Sequence, residues 1–257
     1  MSKFKIIFLP FTLLFFLSSC VSKKDLIYLQ YDEIDQSKVS NDYQLTFKPD
    51  DLLQIIISSK DLKASIPFNL PVFASSASSG NAQGVPKLQS YLIDGNGVVE
   101  LPVLGRIKLG GLTRIEGIEL IKQRLYPKYL KDPIVNILIT NFKVTVIGDV
   151  KQPQVFQMEN ERVTIFDAIG MAGDLNISGE RENVTVIREE FDKKSKYIVD
   201  LRSNNIMTSP VYYLQQNDVI YIQQNNAKVQ DAAYTRNTGL FISLASVLIS
   251  LITIITR

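Results

Sequence analysis

Few residues of this 257-residue chain are equipped for chemistry. Cys20 is the only thiol, and there is no His. These two facts exclude Ser-His-Asp and Cys-His nucleophile systems, His metal ligands, an intramolecular disulfide, and Cys-based zinc or iron–sulfur sites. Carboxylates remain. Asp94, Glu100, Asp132 and Asp149 could supply the acid and base of glycan hydrolysis, which needs two carboxyl groups facing one bond. Each lies beside a turn, where acidic residues are common, and no spacing pairs two of them. No catalytic residue, metal ligand or cofactor site follows from the sequence. The 28 Lys and Arg against 26 Asp and Glu leave a formal charge of +2, which gives no basic field for nucleic acid. Lys193, Lys194 and Lys196 read as a solvated hairpin tip.

A second chemical pattern lies near the C-terminus. Asn237 to Thr256 contains no charged residue and is bracketed by Arg236 and Arg257. Twenty helical residues reach about 30 Å, the thickness of a bilayer core, so the stretch reads as a transmembrane helix. At about 100° per residue, Gly239, Ser243, Ser246, Ser250 and Thr253 share one face. Phe241, Leu244, Leu248, Ile252 and Ile255 lie opposite. The small-hydroxyl stripe has two readings. It lines the wet lumen of a ring of such helices, which demands an oligomer. Or it is a packing stripe, with hydroxyls bonding a neighbouring helix or their own carbonyls.

Between the ends, short strands alternate with turn signals. Tyr43 to Ile57 reads as strand, Pro49-Asp50-Asp51 turn, strand. Ala74 to Gly84 is small and polar, a flexible loop. Asp94-Gly95-Asn96-Gly97 between apolar alternations signals a hairpin, with Val103 to Ile107 continuing as strand. Thr113 and Glu116 form a capping box for a helix running to Leu130, broken by Asp132-Pro133. Ile134–Ile139 and Val144–Ile147 read as strands. A short helix starts at Thr164, with Asp167 in the box position. Asn183–Arg188 and Lys196–Leu201 read as a hairpin joined by the charged stretch Glu189–Ser195. One internal echo recurs: Phe47-x-x-x-Asp51-Leu52-Leu53-x-Ile55 matches Leu214-x-x-x-Asp218-Val219-Ile220-x-Ile222. It suits two small β-rich units in tandem.

The N-terminus resembles a bacterial lipoprotein signal. Lys3 and Lys5 precede a nearly unbroken apolar run, Ile6 to Leu17, that ends in Leu17-Ser18-Ser19-Cys20. Small residues admit a peptidase, and the thiol of Cys20 accepts the lipid. The plainer reading is a short anchor with an incidental Cys. Val21, the second residue of the mature chain, is not the Asp that marks inner-membrane retention. The resemblance therefore implies a Gram-negative envelope protein anchored at the outer membrane. Removal of residues 1–19 takes Lys3 and Lys5 and no acid, leaving 26 charges of each sign.

Taken in order, further segments resemble the polysaccharide biosynthesis/export family. They are Phe47–Ile55, Asp94–Gly105, Gly110-Gly111-Leu112-Thr113, Asp132-Pro133-Ile134-Val135, Val146–Pro153 and Asp167–Gly173. Each is weak alone; the ordered set is specific. The resemblance implies an α+β fold: a small β-rich export domain, one β-grasp domain of the SLBB type and a C-terminal transmembrane helix. The implied organisation is a signal peptide at 1–19, a lipid-anchored tether at 20–42, and an export domain at 43–140. An SLBB-type domain follows at 141–226, then a linker at 227–236 and a membrane helix at 237–256. It also implies a homo-oligomeric ring conducting capsular or exopolysaccharide through the outer membrane, with an inner-membrane co-polymerase or tyrosine kinase as partner. The alternative is a non-conducting glycan- or partner-binding lipoprotein scaffold.

Overall fold

A computed structural model describes residues 23–30, 33, 45–72, 87–190, 193–233 and 238–255. The signal peptide, Cys20, the loop expected at 74–84, and Asn237 and Thr256 lie outside the described residues. The elements run β1 (Leu52–Ser58), α1 (Leu62–Ser65), β2 (Pro71–Val72), β3 (Lys87–Leu88), β4 (Ser90–Leu92), β5 (Val98–Leu101), β6 (Gly105–Lys108), α2 (Arg114–Leu125) and β7 (Ile134–Ile139). They continue β8 (Lys143–Gly148), β9 (Gln154–Gln157), α3 (Ile165–Met171), β10 (Val184–Glu190), β11 (Lys193–Val199), β12 (Val219–Ile222), α4 (Asn226–Ala233) and α5 (Thr238–Ile255).

Period-two alternation builds the first core. β1 turns Leu53, Ile55 and Ile57 inward and pairs antiparallel with β4 and β7, setting them opposite Ile139, Ile137 and Val135. α2 lays Ile121 and Leu125 on this sheet beside Phe47, Ile107 and Leu109. Its N-terminus is closed as expected: Thr113 and Glu116 cap each other's backbone N–H. The helix ends at Leu125 rather than Leu130. Pro127 forbids the helical conformation at Tyr126, which is extended.

The hairpin expected at Asp94–Gly97 forms differently. The turn is there, with Gly97 N–H donating to Asp94 O at 2.8 Å, but its flanking strands pair elsewhere. The hairpin is β5 with β6, and Val103 sits in its turn with φ 65° rather than in a strand. Two motif glycines let the Asp94–Gly97 turn lie against the backbone after β6, where Leu109 and Gly110 N–H donate to Gly97 O. A Cβ on Gly110 would lie 2.6 Å from the Cα of Gly97.

The second core is built on a five-stranded sheet in the order β11-β10-β12-β8-β9, antiparallel except for β12 with β8. Val184, Val186, Val144, Val146, Ile220 and Ile222 face α3, which Thr164 and Asp167 cap. Ile139 packs against both cores. The charged stretch Glu189–Ser195 is largely ladder rather than loop. Glu189 stands opposite Lys194, and their side chains pair at 3.6 Å. The stretch expected as a linker is in part helical, as α4.

The expectation of an α+β, β-rich chain holds, but the transmembrane helix is overturned. No helix among the described residues is long and apolar enough to cross a membrane. α5 has 18 residues, about 27 Å at 1.5 Å per residue, short of a hydrocarbon core of about 30 Å.

Gly148 stands where β8 and β12 close on each other. Its φ is 98°, and a Cβ there would lie 2.0 Å from the carbonyl oxygen of Ile222. Gly148→Ala is therefore expected to cost about 3 kcal/mol, read as a lowered urea midpoint with an unchanged slope.

Candidate functional site

The internal echo becomes a shared turn. Asp51 accepts the N–H of Lys48 at 2.8 Å, and Asp218 accepts the N–H of Gln215 at 2.8 Å. The preceding residues, Asp50 and Asn217, have φ of 68° and 65°. Just before each turn, Thr46 bridges to Thr113 and Tyr213 to Thr164, the two helix-capping threonines. Both aspartates are fully buried. Lys48 joins the two turns, donating to Gln215 Oε1 at 2.6 Å and to the Glu189 carbonyl at 3.0 Å.

The two turn carboxylates are compensated differently. Asp218 meets Arg188 through Nε at 3.1 Å and Nη2 at 2.7 Å, and both side chains are buried. Nη1 and Nη2 also donate to the carbonyls of Pro210 and Tyr213. Arg188 was readable as an inward residue, since it falls in phase with Val184 and Val186. Asp51 lacks such a cation, and its Oδ1 is buried without a hydrogen bond. Burial pushes its carboxyl up to about 6, against the Lys48 N–H that favours the anion.

The carboxylates considered for catalysis are all used structurally or exposed. Asp94 accepts the N–H groups of Asn96 and Val98, and the Val98 bond leads in holding its carboxyl below the usual range. Glu100 is exposed on β5. Asp132 pairs with Lys60 at an exposed turn. Asp149 is buried and accepts from Asn176 at 2.8 Å. Among the described residues no three His, Cys, Asp or Glu cluster as metal ligands.

The stripe residues Gly239, Ser243, Ser246, Ser250 and Thr253 all fall on α5. Ser246 Oγ donates to the Ser243 carbonyl at 2.8 Å, and Ser250 Oγ to the Ser246 carbonyl at 3.0 Å. The opposite face is bare: Phe241 is 71% exposed and Ile255 79%. Bare apolar surface of this extent marks a face that another molecule covers.

A segment that sequence reasoning left as tether is seated on the second unit. Leu29 N–H donates to Leu201 O at 3.1 Å and Gln30 N–H to Arg202 O at 2.7 Å. Tyr28 hydrogen-bonds Asp174, packs edge-on to Phe166 and lies under the guanidinium of Arg181. Arg202 reaches Asp25 at 3.2 Å. Nothing in the local pattern of Lys23–Gln30 announces this docking, because every partner is distant in sequence.

A profile of polysaccharide biosynthesis/export proteins matches residues 38–140, and an SLBB domain profile matches residues 142–222. The chain belongs to the polysaccharide biosynthesis/export family and carries an SLBB domain. Members of this family are transport and scaffold proteins, and the chain is not an enzyme. It is similar to the EPS I polysaccharide export outer membrane protein EpsA of Ralstonia solanacearum, 28% identical over 112 residues, or 42% of this chain and 29% of that protein. A protein of the same description from Ralstonia nicotianae is 27% identical over 109 residues, 41% of this chain and 28% of its own length. The matched stretch thus spans under a third of either relative.

Two outcomes follow for the buried carboxylates. Removing the cation with Arg188→Met strands Asp218 and is expected to cost about 3–5 kcal/mol in denaturant unfolding, part of which Asp218→Asn restores in the double variant. Asp51 is an acid whose folded pKa lies above its ordinary 3.8. Its contribution is therefore full below about 3.8 and lost as pH rises through about 6. Stability should fall by about 2 kcal/mol from this group between about pH 4.5 and about pH 7, and Asp51→Asn should flatten that slope.

Proposed function

We propose that the chain is an envelope component of polysaccharide export: a lipoprotein acylated on Cys20, anchored at the outer membrane. Copies assemble as a homo-oligomeric ring whose passage conducts capsular or exopolysaccharide. The observation that carries this reading is the tandem match, an export-family unit directly followed by an SLBB domain. The names of the Ralstonia relatives support the substrate class and the membrane. The bare apolar face of α5 supports assembly, since neighbouring copies would cover it. The hydroxyls of Ser246 and Ser250 are satisfied within the helix, so the stripe can lie against water or a neighbour without an orphan donor. A neutral mature chain, with 26 charges of each sign, suits a passage that must not grip its cargo. An inner-membrane co-polymerase or tyrosine kinase is the expected partner.

Truncation before Asn237 tests the proposal. Surface polysaccharide should be lost while lipidation and the folded core persist; normal export would overturn the conduit. Replacing Ser243, Ser246 and Ser250 with Leu separates the two readings of the stripe. Rings that assemble but do not export place it at the lumen, and failed assembly places it at a helix contact.

A further inference from the structure

We propose that the pole of the first unit farthest from the second is a peripheral binding surface for an anionic lipid bilayer. The inference stands apart from the anchor proposed at Cys20 and goes beyond the export role. From Lys122 to Lys131 the chain carries four cations, Lys122, Arg124, Lys128 and Lys131, and no acid. Helix α2 ends inside this stretch, where Lys122 and Arg124 suit the negative end of its dipole, and Lys122 also pairs with Glu119. Lys128 and Lys131 lie beyond the helix and gain nothing from it.

The fold brings more cations to the same end. Phe68, just after α1, packs edge-on against Tyr129 with ring centroids 5.9 Å apart, which sets α1 beside the stretch that follows α2. Lys60 and Lys63 flank α1, and Lys60 reaches Asp132 at 3.4 Å. Across residues 60–68 and 122–134 six cations face two acids, Asp61 and Asp132, in a chain of near-zero net charge. Asp61 is taken up in capping α1.

This pole is also apolar. Leu62 and Ile66, one helical turn apart, are 72% and 64% exposed. Tyr126 is 58% exposed, and Ile134, opposite Ser58 at the end of β1, is 65% exposed. Ser58 lies about 20 Å along β1 from Leu52, at about 3.3 Å per residue. The second unit joins beyond the Leu52 end, where Lys48 meets Gln215, so it does not cover the pole. Apolar tips among cations fit the interfacial layer of a bilayer with anionic headgroups. Lysine and tyrosine both carry an apolar body beneath a polar end, the form that seats at headgroup depth. An acidic protein surface would favour arginine, whose planar fork binds carboxylates bidentately. In these two segments lysines outnumber arginine five to one.

The chain contains no Trp, so a single introduced indole reports its own site. Tyr126→Trp at the pole and Val155→Trp on β9 both replace exposed residues and should fold normally. The full chain is held in neutral phosphatidylcholine nanodiscs, which occupy whatever anchor it carries. It is then offered vesicles of brominated phosphatidylcholine, with or without phosphatidylglycerol. The phosphatidylglycerol vesicles should quench Tyr126→Trp several-fold more strongly than the neutral ones do, and several-fold more than they quench Val155→Trp. Adding Lys128→Gln and Lys131→Gln should weaken vesicle binding about thirty-fold. Adding Leu62→Ser and Ile66→Ser instead should lower the maximal quenching at least about twofold. Quenching that ignores phosphatidylglycerol or the lysines, or that is equal at the two indoles, overturns the proposal. Quenching unchanged by the serine pair overturns insertion of the apolar tips. A pole built for an acidic protein surface gives no quenching by either vesicle, and that result overturns the lipid surface outright.

Discussion

A carboxylate without solvent is the hardest group for a small domain to keep, and this chain keeps one in the matching turn of each of its two units, with Asp149 a further one in the second. Taking an ionised Asp out of water costs several kcal/mol unless hydrogen bonds or an opposite charge replace the solvent. Asp218 is compensated by Arg188, which also holds the Pro210 and Tyr213 carbonyls. β10, β12 and the loop between β11 and β12 are thereby fixed to one guanidinium. Asp51 has a single backbone donor and an orphan oxygen, and burial raises its carboxyl. Burial raises both carboxyls, and only the Asp218 turn is closed by a buried ion pair. Lys48 reaches from one turn to the other, so the junction of the units is set by these groups as well.

Much of this was legible in the sequence where the controlling forces are local. The capping boxes at Thr113 and Thr164 appeared as read, because a cap needs only residues three apart. The echo of Asp51 and Asp218 was visible, and its meaning as a buried turn was not. The Asp94–Gly97 turn was visible too, but its strands choose partners by burial rather than by proximity. β4 is taken by β1, and β5 pairs with β6 through a turn that Pro102-Val103-Leu104 does not advertise. Seating of Lys23–Gln30 was illegible for the same reason. Tyr28 finds Asp174 and Phe166 only once α3 and the loop after it are in place.

At the candidate site, the stripe of α5 was readable as a pattern but not as an environment. Which molecule covers an apolar helix is a property of an assembly, and single-chain periodicity is silent on that. In the proposed export role, the two faces of α5 divide the labour. The apolar face carries association, while internally satisfied hydroxyls leave the other face free of directional demands.

The shared turn has a consequence for how such chains can vary. Each unit closes with its own buried aspartate, its own capped helix and its own bridge between them, and the units share the reach of Lys48, the side chain of Ile139 and the Arg114–Glu161 pair. A unit closed in this way is a self-sufficient tile. The turn, helix cap and bridge inside each tile do not depend on the other tile, so the length of the body can vary wherever the few contacts at its ends are matched.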